Sequence, residues 1–164
     1  VRGLECYYPC TPHGVVKILE RAGIAVAGRE VVILGRSNLV GRPLSIMLSQ
    51  KQPEGNATVT VCHSRTRDLT YHTRRAEILI VAAGSPEMIT AEMIPEGGVV
   101  IDVGVNRVED PTAKRGYRLV GDVEYQAALE RASHVTPVPG GVGPMTITML
   151  LYNTLLSAKR KTGG

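Results

Sequence analysis

The chain has 164 residues, of which 43% are hydrophobic and 21% charged, ordinary values for one globular domain with a sizeable core. Its formal net charge is +4, but it contains neither tryptophan nor phenylalanine, so stacking platforms for nucleic acid are scarce. No stretch reaches the roughly 20 apolar residues of a membrane span, and nucleic-acid and membrane partners are both set aside.

The three cysteines, Cys6, Cys10 and Cys62, are an odd number in a chain with no signal-like leader. A disulfide framework is not expected, and a reducing, cytoplasmic setting is. The chain opens on VRGLECYYPCTP without an initiating methionine, which is the expectation for a piece of something longer.

In chain order, Pro12, Val15, Val16, Ile18, Leu19 and Ala22 have helical spacing that closes at Gly23, with Thr11 as the N-cap. Apolar β-rich runs follow at Val31 to Leu34, Ala57 to Cys62, Ile78 to Ala82, Val99 to Val103 and Ser133 to Val138. Helical patterns lie between them, near Arg42 to Gln50, Thr66 to Arg75 and Val123 to Ala132. Asp110 to Gly116 reads as an exposed loop, and Tyr117 to Val120 as a short additional strand. Pro144 to Lys161 is a final helix with a basic end. Strands alternating with helices predict an α/β fold, a Rossmann-type doubly wound parallel sheet in three α/β/α layers.

The segment Val31 to Ser45, VVILGRSNLVGRPLS, is the most informative. A β-branched run stops at Gly35, crosses a polar turn and passes Gly41 into a helical pattern, the outline of a dinucleotide phosphate site. Its spacing is GxSxxxGxP, where the common fingerprint is GxGxxG. On spacing alone, a tight strand-to-helix turn explains the two glycines better than a phosphate site does.

In an open parallel sheet the ligand lies beyond the carboxyl ends of the strands. There the first run gives Gly35, Arg36 and Ser37, and the second His63, Ser64, Arg65, Thr66 and Arg67. An NAD site usually has an acid about 20 residues past the glycine turn. Here a hydroxyl and guanidinium groups replace it, the chemistry that suits a 2′-phosphate, so NADP is expected as the cofactor. The third run ends at Gly84 and Ser85 and the fourth at Gly104, Val105 and Asn106, with room for a flat nicotinamide ring. The uncharged loop from Thr136 to Thr146 is either a wall against that ring or a plain lead into the last helix.

Reaction chemistry is missing from the residues themselves. The four histidines are dispersed, and no nucleophile elbow, carboxylate pair or Tyr/Lys couple is evident. Cys62 beside His63 has no second pair at metal-ligand spacing, so no metal is expected. Asp102 and Asp122 are the best-placed acids, and Asp102, inside an apolar run, reads as structural.

PCTPHGVVKIL, GREVVILGRSNLVGRPLS, TVTVCHSRT, ILIVAAGSPEMI, VVIDVGVN, LVGDVEY and TPVPGGVGPMTITML, in that order, resemble the bifunctional methylenetetrahydrofolate dehydrogenase/methenyltetrahydrofolate cyclohydrolase family from Tyr8 to Lys161. The resemblance implies NADP-linked oxidation of methylenetetrahydrofolate to the methenyl form, hydrolysis to formyltetrahydrofolate, and a homodimer. It implies cofactor contacts at Gly35, Arg36 and Ser37, with Arg36 and Ser64 at the 2′-phosphate and Gly84 and Ser85 lining the cleft. Val105 corresponds to the position whose backbone holds the carboxamide, and Thr146 closes the nicotinamide pocket. In the family the catalytic lysine, tyrosine and glutamine and the folate-binding aspartate precede PCTP, and none has a counterpart here. Residues 1–164 are thus expected to be the NAD(P)-binding domain, with 1–27 a linker helix and 144–161 a returning C-terminal helix. This chain alone is expected to be inactive, and the alternative is a free-standing NADP-binding module.

Overall fold

A computed structural model describes residues 6–162. The order is α1 (Cys10–Arg21), β1 (Glu30–Leu34), α2 (Gly41–Ser49), β2 (Thr58–Cys62), α3 (Leu69–Arg74), β3 (Ile78–Val81), a 3-10 turn (Ala91–Met93), β4 (Val99–Asp102), β5 (Asn106–Glu109), β6 (Tyr117–Val120), α4 (Tyr125–Arg131), β7 (His134–Val135) and α5 (Val142–Thr162). Of the expected linker segment 1–27, Val1 to Glu5 lie outside the described residues.

Five strands form one parallel sheet in the order β2-β1-β3-β4-β7, and β5 pairs with β6 as a separate antiparallel hairpin. Because successive side chains of a strand point to opposite faces, the apolar runs divide cleanly. Val31, Ile33, Ile78, Ile80, Val99 and Ile101 pack with Val15, Leu19, Leu44, Leu48 and Val142 from α1, α2 and α5. Val32, Leu34, Leu79, Val81 and Val100 pack on the other face with Ile89, Ile94, Val123 and Ala128. Two cores back to back give the three α/β/α layers, each fully buried aliphatic side chain contributing about 1.5–3 kcal/mol.

Helices α1 and α5 pack side by side. Gly14 makes this possible, since a Cβ there would come within 3.2 Å of Met145 Cβ. Thr11 Oγ1 and Thr146 Oγ1 are 3.0 Å apart, and Asn153 Nδ2 donates to Tyr8 O at 2.9 Å. The outward side of α5 is left bare: Ile147, Leu150, Leu151 and Leu155 are each more than half exposed. Among the described residues no helix is long and apolar enough to cross a membrane.

Several expected boundaries move for identifiable reasons. Helix α1 starts one residue before Thr11, with Pro9 at the N-cap and no side-chain cap, so the Thr11 hydroxyl serves the contact with α5 instead. Helix α3 begins at Leu69 because Asp68, in the left-handed region at φ 46°, accepts from Tyr71 N–H and caps it. The last strand shrinks from Ser133–Val138 to two residues. Beyond it Thr136 turns its hydroxyl to Asp102 N–H and Pro137 has no N–H to pair. Asn106, expected only as the end of the fourth run, instead opens strand β5, which pairs Asn106 to Glu109 with Val120 to Tyr117.

Candidate functional site

The register of the sheet fixes which tips are neighbours. Leu34 pairs with Cys62 on one side and Val81 on the other, and Val81 pairs with Asp102. Cys62, Leu34, Val81 and Asp102 therefore form one row, and the next residues of each strand share a crevice edge. Arg36 and Ser64 each stand two residues past the paired Leu34 and Cys62, on the loops that leave these adjoining strands. Gly35 N–H donates to Cys62 O at 2.9 Å, which continues the β1–β2 ladder up to this edge.

Between β1 and β3 the connections diverge to opposite sides, the point where an open parallel sheet opens its crevice. Gly35 sits there at φ 129°, and a Cβ would collide with Ala82 O. The glycine is thus required by close approach of the two strand exits as well as by its backbone angle. Gly41 is needed for a related reason, since a Cβ would collide with Gly35 O. The loop between them is closed by Val40 N–H donating to Ser37 Oγ and Arg42 N–H donating to Ser37 O, both 3.0 Å. Ser37 is therefore partly occupied in holding its own loop.

At the β1–β2 end, Arg36, Ser37, Ser64, Arg65 and Arg67 are all exposed, and residues 35–42 and 63–67 include no acid. At the β3 end, Ala83 and Gly84 are exposed and Ser85 half-buried, with Gly84 at φ 69° and open space where its Cβ would lie. Beyond β4, Val105 is 60% exposed. The crevice is thus basic at one end and small and apolar at the other. Cys62 lies buried beneath it, and burial pushes its thiol pKa up, away from reactive thiolate. Among the described residues no three His, Cys, Asp or Glu side chains gather as a metal site.

Two buried carboxylates hold the β3 and β4 tips. Asp122 Oδ2 accepts from Ala83 N–H and Gly84 N–H at 2.7 and 2.8 Å, and its Oδ1 accepts from Ser85 N–H at 3.0 Å and Asn106 Nδ2 at 2.8 Å. Asp102 Oδ1 accepts from Gly104 N–H and Asp122 N–H at 2.9 and 3.1 Å, and its Oδ2 accepts from Val123 N–H at 2.9 Å. Burial pushes the Asp102 carboxyl up to about 6, although these backbone bonds pull it down and only partly offset the lost hydration. Both acids are occupied by the fold. Sequence reading located them at strand ends and took Asp102 as structural, but did not foresee that Asp122 ties three consecutive backbone amides.

Thr146 lies in the second turn of α5, where its hydroxyl donates to Val142 O at 3.3 Å and meets Thr11. The loop before it is turned by Gly141 N–H donating to Pro137 O at 2.9 Å. A concavity of about 560 Å³ between β6 and α4, lined in part by Arg118, Glu124, Tyr125 and Val138, includes none of the expected site residues.

Five parallel strands, a divergence point between β1 and β3, and a basic, glycine-lined crevice at their carboxyl ends define a dinucleotide-binding α/β domain. Residues 9–162 match the family described as tetrahydrofolate dehydrogenase/cyclohydrolase, NAD(P)-binding domain, and the chain belongs to that family. The Bifunctional protein FolD of Natronomonas pharaonis is 60% identical over 158 residues, 96% of this chain and 53% of that protein. The methylenetetrahydrofolate dehydrogenase-cyclohydrolase of Trypanosoma brucei, solved with NADP cofactor and an inhibitor, superposes with a TM-score of 0.87 at 45% identity. That match covers 95% of this chain and 52% of the other. The bifunctional FolD enzyme of Campylobacter jejuni gives 0.84 at 48% identity, over 93% and 51% respectively. The chain spans about half the length of the relatives it matches. The family expected from PCTPHG, GRSNLVGRP and PVPGGVGPMT is the family found, and the cofactor it carries is NAD(P).

Proposed function

We propose that this chain is the NADP-binding part of an enzyme that oxidises 5,10-methylenetetrahydrofolate to the 5,10-methenyl form and hydrolyses that to 10-formyltetrahydrofolate. The observation that supports the cofactor half of this reading is the β1–β2 register, which sets the loops carrying Arg36 and Ser64 on adjoining strand ends, with no acid in residues 35–42 or 63–67. A carboxylate there would bind a ribose hydroxyl and repel a phosphate, whereas guanidinium and hydroxyl donors favour the 2′-phosphate.

In this reading Arg36, Ser64 and Arg65 hold the 2′-phosphate, and the Gly35–Ser37 loop faces the pyrophosphate. Gly84 and Ser85 line the middle of the cleft, held in shape by Asp122. The backbone of Val105 binds the carboxamide, and Thr146 bounds the nicotinamide side. When bound, the cofactor supplies a hydride acceptor at its nicotinamide ring. This chain's residues bind and orient it, and the acid, base and folate groups come from the part of the relatives' length that this chain does not span. The bare stripe of Ile147, Leu150, Leu151 and Leu155 supports that division, because a free-standing cofactor module leaves four large apolar side chains in water. A homodimer is part of the same proposal.

The test is calorimetric titration of the chain and of Arg36→Ala with NADP and NAD. A charge-assisted contact of about 1.5–3 kcal/mol predicts a loss of about 10- to 150-fold for NADP, with NAD moved less than about twofold. Equal losses for the two cofactors would overturn the phosphate assignment.

A further inference from the structure

His63 has no role in the reading above, yet it organises the turn that carries Ser64 and Arg65. Its backbone N–H donates to Thr66 Oγ1 at 2.9 Å, and its carbonyl accepts from Thr66 N–H at 2.8 Å. Its ring takes part as well, since Nδ1 accepts from Arg65 N–H at 3.1 Å. Three bonds thus close residues 63–66, with His63 half-buried at the base and Ser64 and Arg65 exposed. A side-chain acceptor bonded to the N–H two residues on is the geometry of an Asx turn, for which asparagine and aspartate are the usual residues. Here an imidazole performs it, which requires Nδ1 unprotonated and the ring hydrogen on Nε2.

The turn leaves β2 where the loop of Arg36 leaves β1, the two strands continuing their ladder through Gly35 N–H and Cys62 O. We propose that His63 is a positioning residue for cofactor choice: its ring sets the 63–66 turn before ligand arrives, so that Ser64 and Arg65 are ready for the 2′-phosphate. The inference rests on the phosphate reading of that edge. An untied turn would have to be ordered on binding, and that cost falls on the ligand that uses it. NAD has no phosphate at this position and is largely indifferent to the turn.

The experiment compares His63→Ala and His63→Asn with the unaltered chain, by calorimetric titration with NADP and NAD and by amide hydrogen exchange at Arg65 without ligand. Loss of one intramolecular hydrogen bond predicts about fivefold weaker NADP binding in His63→Ala. NAD should change by less than about twofold, and the Arg65 amide should exchange faster. Asn offers Oδ1 where Nδ1 was, so His63→Asn should restore both NADP affinity and amide protection. A matched NADP loss in the Asn and Ala variants would overturn the inference, because the ring would then act other than through the turn. An equal loss of NAD would also overturn it, as general damage. If Arg36→Ala fails to separate NADP from NAD, the phosphate reading falls and this inference with it. If Arg36→Ala separates them while His63→Ala changes nothing, only the inference about His63 falls.

Discussion

Asp122→Asn is nearly isosteric, yet it should be among the more damaging single changes in this chain. Asp122 is fully buried and receives four donors, two on each oxygen. An amide accepts through one oxygen only and brings two hydrogens of its own. If its nitrogen replaces Oδ2, the N–H groups of Ala83 and Gly84 meet another donor. If it replaces Oδ1, Asn106 can turn its own amide to accept only by giving up its 3.3 Å bond to Gly121 O, and Ser85 N–H stays unpaired. The second arrangement costs less, and it still forfeits one backbone bond and the charge on the other three. Bonds to charged groups contribute about 1.5–3 kcal/mol and neutral ones about 0.5–1.5, so the bonds alone lose about 5–7 kcal/mol, and relief from burying a charge returns part of that, leaving a loss of about 3 kcal/mol. For a domain of this length that is a fall of about 6–12 °C in Tm. Guanidinium unfolding followed by circular dichroism measures it, with Asn106→Ala as the comparison. Asn106→Ala removes one donor to the carboxylate and the bond to Gly121 O, leaves the carboxylate to three backbone amides, and should cost about 2 kcal/mol. If Asp122→Asn costs less than about 1 kcal/mol, or less than Asn106→Ala, the carboxylate is not the anchor of these tips.

Gly35→Ala should prevent soluble expression or cost more than about 3 kcal/mol, because its Cβ would strike Ala82 O at a positive φ. Gly28→Ala, also at positive φ but with nothing within 4 Å, should cost only about 1 kcal/mol in the same unfolding assay. The Asp102 carboxyl titrates near 6 in the folded chain against an ordinary 3.8. Between those values the folded state binds more protons than the unfolded state, so this group's contribution favours folding at low pH. It is lost as pH rises through about 6, by about 3 kcal/mol in all. Asp102→Asn should remove that part of the pH dependence, so a variant with the same stability slope between pH 4 and 6 would refute the assignment.

The parts of the fold governed by local pattern were legible in the sequence. The unbroken apolar runs of β1, β3 and β4 predict strands covered on both faces, and all four residues of β3 and of β4 are buried. The final helix was legible from its 3.6-residue spacing, though its apolar pattern gave no warning that Ile147 and Leu151 would face outward. What depended on distant partners was not legible. Strand β5 needs β6 across an eight-residue spacing, and Asn106 to Glu109 alternates too weakly in hydrophobicity to announce it. The start of α3 was misread because Thr66 looked like a helical residue and is a turn closer for His63. At the site, residue types suggested a phosphate pocket at Arg36 and Ser64, but that their loops leave adjoining strands follows only from the Leu34–Cys62 register. Asp122 shows the limit most clearly. Nothing in LVGDVEY says that its carboxylate reaches amides 37 to 39 residues earlier in the chain.

Apart from the Asn106 amide, the two carboxylates grip peptide N–H groups, which every residue except proline supplies. Their hold on the crevice is therefore blind to the side chains at Ala83, Ser85 and Val123, while it is strict about Gly104 and Gly121, where a Cβ would run into the carboxylates themselves. Variation is channelled accordingly. The outward positions of the strand tips can be rewritten for a different ligand at little cost to folding, so the scaffold separates what it must keep from what it is free to explore.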